Sequence, residues 1–411
     1  MNSIRPNGYV HWDKVRFYKP APPFTPADAW VAVKFGRALQ PLPFLDTKDR
    51  NLVYSQPNGF LRTLHEIDSN ARGMIGVPGS AATTEGRDIY LQKSLVEEPF
   101  SSSVLEGAAT TREIAKRMIE EGRAPRTVDE RMVINNFRAM EFIREHSQEP
   151  LTTERILEVH RILTEGTLEK PEKCGVFRDP NDDVRVVDSI TNETLHVPPA
   201  ATELTERMER LCKFANAPSD GGVFLHPIIR AIIIHFVLAY DHPFWDGNGR
   251  CARALFYWCV LRHGYWLLEY VSISSVIRKA PIKYGMAFLY SETDGGDVTY
   301  FIDYHLEVIV RACRELQEYL AEKSKELTAL QGTIGRLASV LNTRQLQLVQ
   351  DALKRPTARY EIAKHQERVG VSYLTARSDL EEMVKLGFLR KTREGTKSIF
   401  SVPKNLRDRL R

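Results

Sequence analysis

Cysteine is scarce and unpaired in this 411-residue chain: Cys174, Cys212, Cys251, Cys259 and Cys313 include no C-x-x-C spacing. That argues against a thioredoxin-like pair or a cysteine zinc site. A chain this long needs no disulfide staples, so free thiols in a reducing, cytoplasmic setting are expected. Long apolar runs are also missing, since the richest, Pro227 to Tyr240, is broken by His235 well short of a membrane span. The first eight residues lack the apolar centre of a secretion signal. No Walker loop and no H-E-x-x-H occur, which removes the two simplest motif-level routes to nucleotide or zinc chemistry.

Charge of one sign is scarce overall but not locally. The net charge is +4, yet Leu327 to Arg411 holds 17 Lys and Arg against 8 Asp and Glu, nine positive charges in excess, leaving −5 for the rest. The basic character belongs to the C-terminal end.

What is present is mostly helical periodicity. Residues 1–60, rich in proline and aromatics, predict short helices joined by fixed turns, and Gly73 to Gly86 predicts a mobile loop. Helices are predicted over Phe60–Ala71, Ile89–Glu97, Glu106–Glu121, Thr127–Glu145 and from Thr152, then over Ala201–Asn216, Pro227–Tyr240, Arg250–Arg262, Ser272–Ile277, Lys283–Ser291 and Thr299–Lys325. One hairpin, Val184–Val187 with Thr194–Val197, interrupts them. Beyond a linker at 326–341, helices opened by Asn342, Thr357 and Ser372 and a hairpin around Arg393–Thr396 predict a winged helix-turn-helix over 342–411. The expected order is a helical region to residue 95, a helical core over 96–325, the linker and the winged helix.

The chemistry is concentrated in His242-Pro243-Phe244-Trp245-Asp246-Gly247-Asn248-Gly249-Arg250-Cys251-Ala252-Arg253, between two apolar helices. Gly247 and Gly249, just ahead of a helix, let backbone N–H groups converge on an anion, reinforced by the helix dipole. Arg250 and Arg253, three apart, share a face and can both reach a polyphosphate. Asp246 is a hard oxygen ligand for magnesium, which takes one or two carboxylates and completes its shell with substrate phosphates and water. His242 is an imidazole able to take a proton from an attacking hydroxyl. Singly, each has a bland reading: a turn, a satisfied core histidine, arginines in surface pairs. Their joint occurrence in one loop points to nucleotide transfer. Zinc on His226, His235 and His242 is set aside, because no metal-ligand spacing accompanies them.

This string resembles the signature of Fic-domain proteins, H-P-F-x-(D/E)-G-N-G-R-x-x-R, at every specified position, and the resemblance runs from about Ser102 to Lys325. It implies a mainly α Fic fold with a β-hairpin flap, and transfer of AMP from ATP, with Mg2+, onto a target protein's hydroxyl. By that resemblance His242 is the base, Phe244 an apolar anchor, and Asp246 the metal ligand. Asn248 meets the α-phosphate, Gly247 to Arg250 line the anion hole, Arg250 and Arg253 neutralise the β- and γ-phosphates, and Tyr284 and Tyr290 border the adenine. Val186, Leu195 and His196 belong to the flap, whose free edge could hold a target segment or be structural only.

Ser102-Ser103-Val104-Leu105-Glu106-Gly107 resembles the inhibitory (S/T)-x-x-x-E-(G/N) motif of one Fic class. Read alone, Glu106 is a first-turn carboxylate at a helix N-terminus. With the loop, it implies a Glu106–Arg253 pair that blocks the γ-phosphate. Two other readings stay open: removal of AMP, with Glu106 acting on water, and a DNA-binding regulator whose Fic core senses nucleotide. A protein contact through the winged helix, self-modification and self-association stay open as well, and no membrane partner is expected.

Overall fold

The computed structural model describes residues 9–72, 94–187, 191–218, 224–337, 341–355, 358–394, 397–403 and 405–409. The predicted loop at 73–86, the first half of the Ile89–Glu97 helix and the capping Thr357 lie outside them. Two compact units result, one of residues up to Tyr319 and one from Leu320 onward. Among the described residues no helix is long and apolar enough to cross a membrane.

The first unit starts with α1 (Trp12–Val15), α2 (Pro26–Phe35), a hairpin of β1 (Gln40–Leu45) and β2 (Asn51–Tyr54), and α3 (Asn58–Ala71). The β1–β2 hairpin corrects the expectation of short helices only. Pro41 and Pro43 disguised it, because proline is tolerated where a strand has a free edge, and this sheet has two strands. Next come α4 (Glu97–Leu105), α5 (Arg112–Glu121), α6 (Val128–Glu145) and α7 (Thr153–Thr164), then β3 (Val186–Val187) paired with β4 (Thr194–His196). The expected helix over Glu106–Glu121 starts only at Arg112, and the preceding helix ends at Leu105. Glu106 is the C-cap of α4 at φ −92°, ψ 16°, and Thr111 opens α5 by accepting from Ile114 N–H. Glu106 is therefore not a first-turn carboxylate. A helix end leaves carbonyls rather than N–H groups unsatisfied, so some other positive group must hold it.

After α8 (Leu204–Ala215) come the two central helices, α9 (Pro227–Asp241) and α10 (Asn248–Arg262). Proline at N1 and the His226 ring, which accepts from Ile228 N–H, start α9. Ile228, Ile229, Ile232, Ile233, Ile234 and Phe236 are fully buried, as are Leu255, Phe256 and Trp258 of α10. Each such aliphatic or Phe side chain contributes roughly 1.5–3 kcal/mol of burial. The polar loop thus joins two helices whose side chains are buried in the core. Three further helices, α11 (Ile273–Lys279), α12 (Pro281–Thr293) and α13 (Thr299–Leu337), follow. The last runs twelve residues past Lys325, so most of the expected linker is helix. Gly332 and Gly335 within it each cost only about 1 kcal/mol in a helix.

In the second unit, α14 (Thr343–Lys354) opens with an Asn342–Gln345 capping box, and α15 (Ile362–Val369) and α16 (Tyr373–Lys385) follow. The strands β5 (Arg359–Glu361), β6 (Arg390–Glu394) and β7 (Lys397–Ser401) form an antiparallel sheet in the order β5-β7-β6, and α17 (Leu406–Arg409) ends the described chain. Strand β5 replaces the predicted start of a helix at Tyr360. Tyr360 faces Phe400 across the ladder, and a buried cross-strand pair outweighs local propensity. Leu348, Val349, Ala376, Leu380, Met383 and Phe400 form this unit's core.

Candidate active site

Helix α9 ends because His242 takes a left-handed conformation, φ +46°, with its N–H on Leu238 O. Its ring Nδ1 lies 3.1 Å from Ala239 O. A carbonyl only accepts, so Nδ1 carries the hydrogen and Nε2 keeps its lone pair. Burial pushes the imidazole down to about 4, against the opposing pull of the Ala239 carbonyl and Glu106. The ring is thus neutral at physiological pH, as a base must be.

The loop is braced from three sides. Phe244 is fully buried and stacks on His160 at 3.7 Å and 2°, while His160 Nε2 donates to Asp246 O at 2.9 Å and its Nδ1 accepts from Gly175 N–H. Arg178 donates through Nε to His242 O at 2.8 Å and through Nη2 to Pro199 O, and its own N–H reaches Pro243 O. Asn248 turns both side-chain atoms back on Phe244, accepting from its N–H at 2.9 Å and donating to its O at 2.8 Å. Its side chain therefore braces the loop.

At the start of α10, Gly247 has φ +82°, and a Cβ there would press on Thr164 Cγ2 at 2.8 Å. A Cβ on Gly249 would overlap the Glu106 carboxylate. Arg250 is buried, with Nη1 on Leu163 O at 3.0 Å and Nη2 3.6 Å from Asp246 Oδ2. Arg253 is buried too, and the end of α4 holds it: Nε to Ser102 Oγ at 2.9 Å, Nη2 to Ser102 O at 3.2 Å, and Nη2 to Glu106 Oε1 at 2.8 Å. Burial alone pushes Glu106 up, but Arg253 outweighs it and holds the carboxylate below its ordinary range. Arg250 Nε and Arg253 Nη1 are buried with no hydrogen-bond partner among the described residues, an arrangement costly unless an anion takes them. A cavity of about 240 Å³ opens beside the loop, lined by Glu106, Val184, His242, Asp246 and Gly247–Gly249, with Arg250 and Arg253 behind its wall.

Asp246 keeps half its side chain exposed, with Oδ1 accepting from Gly247 N–H at 2.5 Å. Among the described residues no group of three or more His, Cys, Asp or Glu could hold a metal. Asp246 thus offers a single carboxylate, which fits an ion whose remaining ligands are phosphate and water.

The other predicted residues divide. Tyr284 sits beside the site, its buried hydroxyl 3.0 Å from His235 Nε2, and the Arg253 charge acts on its phenol. Tyr290 is not with it. Six residues on along α12, about 240° round the helix, it stacks on His11 at 4.3 Å and belongs to the N-terminal cluster. In the flap, Val186 pairs with His196 and Leu195 is exposed, but His196 points inward, to Tyr240 O at 2.7 Å and Glu292 Oε2 at 2.9 Å.

Sequence reasoning missed His160, Arg178 and Glu98. Fully buried Glu98, two turns before Glu106, accepts from Ser272 Oγ at 2.8 Å and from Ser274 N–H and Oγ, which ties α4 to the start of α11. Burial raises its pKa despite those bonds and Arg253. For Glu98 a signal existed, since Glu98, Ser102 and Glu106 recur every four residues on one helical face.

The sequence model of the Fic/DOC family matches residues 150–260. Two relatives, each named protein adenylyltransferase Fic, come from Nematostella vectensis (24% identical over 282 residues, 64% of this chain and 59% of the relative) and Drosophila persimilis (30% over 209 residues, 50% and 38%). This chain thus spans less than two thirds of either relative's length. A Fic family protein from Desulfovibrio desulfuricans G20 has a similar fold, with a TM-score of 0.56 at 18% identity over 85% of this chain and 98% of that one. The segment that matches the Fic/DOC family contains the braced loop, its His160 support and the start of α10.

Proposed function

We propose that this chain is a self-inhibited protein adenylyltransferase that moves AMP from ATP to a Ser, Thr or Tyr hydroxyl of a target protein. One observation carries the reading: the Glu106 carboxylate lies against Gly249 at the start of α10 and bonds to Arg253, where Arg253 Nη1 and Arg250 Nε have no partner among the described residues. A carboxylate there stands in for a phosphate. The relatives' shared name supports the same chemistry.

In the reaction, the target oxygen bonds to the α-phosphorus as the bond from that phosphorus to the bridging oxygen breaks, and pyrophosphate leaves. His242 Nε2 takes the hydroxyl proton. Backbone N–H groups at the start of α10 receive the charge developing on the phosphates, with Arg250 and Arg253 beside them. Magnesium, held through Asp246, would neutralise phosphate charge. While Glu106 holds Arg253, the γ-phosphate has no place on that arginine and ATP sits unproductively.

Glu106 and His242 line one cavity, which also accommodates a second use of these residues, removal of AMP with Glu106 orienting water. The second unit serves as an accessory winged helix. Its Arg377 and Lys391 both pair with Glu381, at 3.1 and 3.0 Å, while Tyr373 and Leu374 are exposed, a surface better suited to protein than to DNA.

Parallel reactions of Glu106→Gly with α- and γ-labelled ATP test the chemistry. The protein should acquire label from the α position, with one pyrophosphate released per AMP bound. Label from the γ position would mean phosphoryl transfer and would refute the proposal.

A further inference from the structure

The three hydrogen bonds that Arg253 makes at 2.8–3.2 Å all run to the end of α4, to Ser102 Oγ, Ser102 O and Glu106 Oε1. A gate that frees Arg253 by moving that helix end withdraws Ser102 together with Glu106. The arginine that receives a γ-phosphate then needs a hold outside α4.

Tyr284 of α12 stands at that place. Its ring is half-buried, and its hydroxyl lies inside, 3.0 Å from His235 Nε2 of α9. Burial pushes the phenol up, and Arg253 pulls against it both as a charge and as a hydrogen-bond partner. The hydroxyl therefore keeps its hydrogen beside the guanidinium. Because a guanidinium only donates, the Tyr284 oxygen meets Arg253 as an acceptor, and its own hydrogen goes to His235 Nε2.

His235 must then be neutral with Nε2 bare. Burial, with His305 and Arg253 nearby, pushes its imidazole well down, and the one ring hydrogen is left for Nδ1. That Nδ1 is buried with no hydrogen-bond partner among the described residues, an orphan that an apolar side chain would fill the core without leaving. The ring is clamped by α13, whose Phe301 and His305 cross it at 87° and 80° with centroids 5.3 and 4.8 Å away. His305 is itself fixed, with Nδ1 donating to Phe301 O at 3.0 Å.

We propose that Tyr284 is a positioning residue for Arg253, holding the guanidinium for the γ-phosphate once Glu106 lets go, and that His235 makes this possible by accepting the tyrosine hydrogen. The assignment rests on the adenylyl-transfer reading, in which Arg253 meets that phosphate. It gives the Tyr284 hydroxyl a task distinct from bordering adenine.

The test measures ATP and ADP binding by calorimetry in the Glu106→Gly background. Tyr284→Phe should weaken ATP about tenfold, the loss of one hydrogen bond to a charged group, and leave ADP, which lacks the γ-phosphate, unchanged. His235→Phe should do the same, while His235→Gln, whose amide oxygen still accepts, should keep most of the ATP affinity. With Arg253→Ala added, Tyr284→Phe should cost nothing further. Unchanged ATP affinity in Tyr284→Phe, or an equal loss for ATP and ADP as an adenine contact would give, overturns the positioning role alone. Absence of AMP transfer by Glu106→Gly overturns the adenylyl-transfer reading and the positioning role with it.

Discussion

Replacing Glu106 with glycine is expected to raise AMP incorporation on the order of 10- to 100-fold, measured as the initial rate from α-labelled ATP. A hydrogen bond to a charged group is worth about 1.5–3 kcal/mol, and each 1.36 kcal/mol is tenfold in rate. The substitution removes the Arg253 Nη2–Glu106 Oε1 bond and the anion that occupies the cradle. Mild acid should not imitate it. The folded carboxylate is held below its ordinary range because Arg253 outweighs burial, so the ion pair persists through neutral pH. It is lost only as pH falls through that depressed value. An unchanged rate in Glu106→Gly would remove the gate.

In the activated background, His242→Ala should cost about 10²- to 10⁴-fold, the usual contribution of a positioned base. The pH profile gives a sharper signature. With the imidazole pushed down to about 4 by burial, the free enzyme's base is deprotonated throughout the neutral range. As pH drops, kcat/KM should therefore fall only near that lowered value. An acid limb at the ordinary histidine value would mean that His242 is solvated during turnover or is not the base.

The loop was legible because its chemistry is local. Glycines, arginines, a carboxylate and a histidine within twelve residues need no tertiary information to suggest an anion cradle. The supports that hold it were not legible. His160, 82 residues before His242, is an ordinary helical histidine in sequence, and only the fold stacks it on Phe244. Arg178 grips backbone carbonyls, which any sequence could supply. That the Asn248 amide faces its own loop was not legible either, because residue type does not say where an amide turns. Tyr290 stacks on His11 rather than beside Tyr284, a difference that helical phase alone makes legible. The β1–β2 hairpin and β5 went unseen because their partners, not their own composition, make them strands.

The helical character of the chain and the order of the central helices followed directly from apolar periodicity. The end of α4 did not, since Pro99 and three serines hid the helix over Glu97–Leu105 and made Glu106 look like a start rather than an end. Yet that helix end turns the carboxylate toward Arg253, 147 residues away.

The claim that Glu106 and the γ-phosphate contend for one arginine is tested most directly by the labelling rate of Glu106→Gly/Arg253→Ala beside that of Glu106→Gly. If Arg253 is what Glu106 withholds, removing the carboxylate gains nothing once the arginine is gone, and the double variant should fall back to the wild-type floor. A double variant that labels as fast as Glu106→Gly would contradict the account.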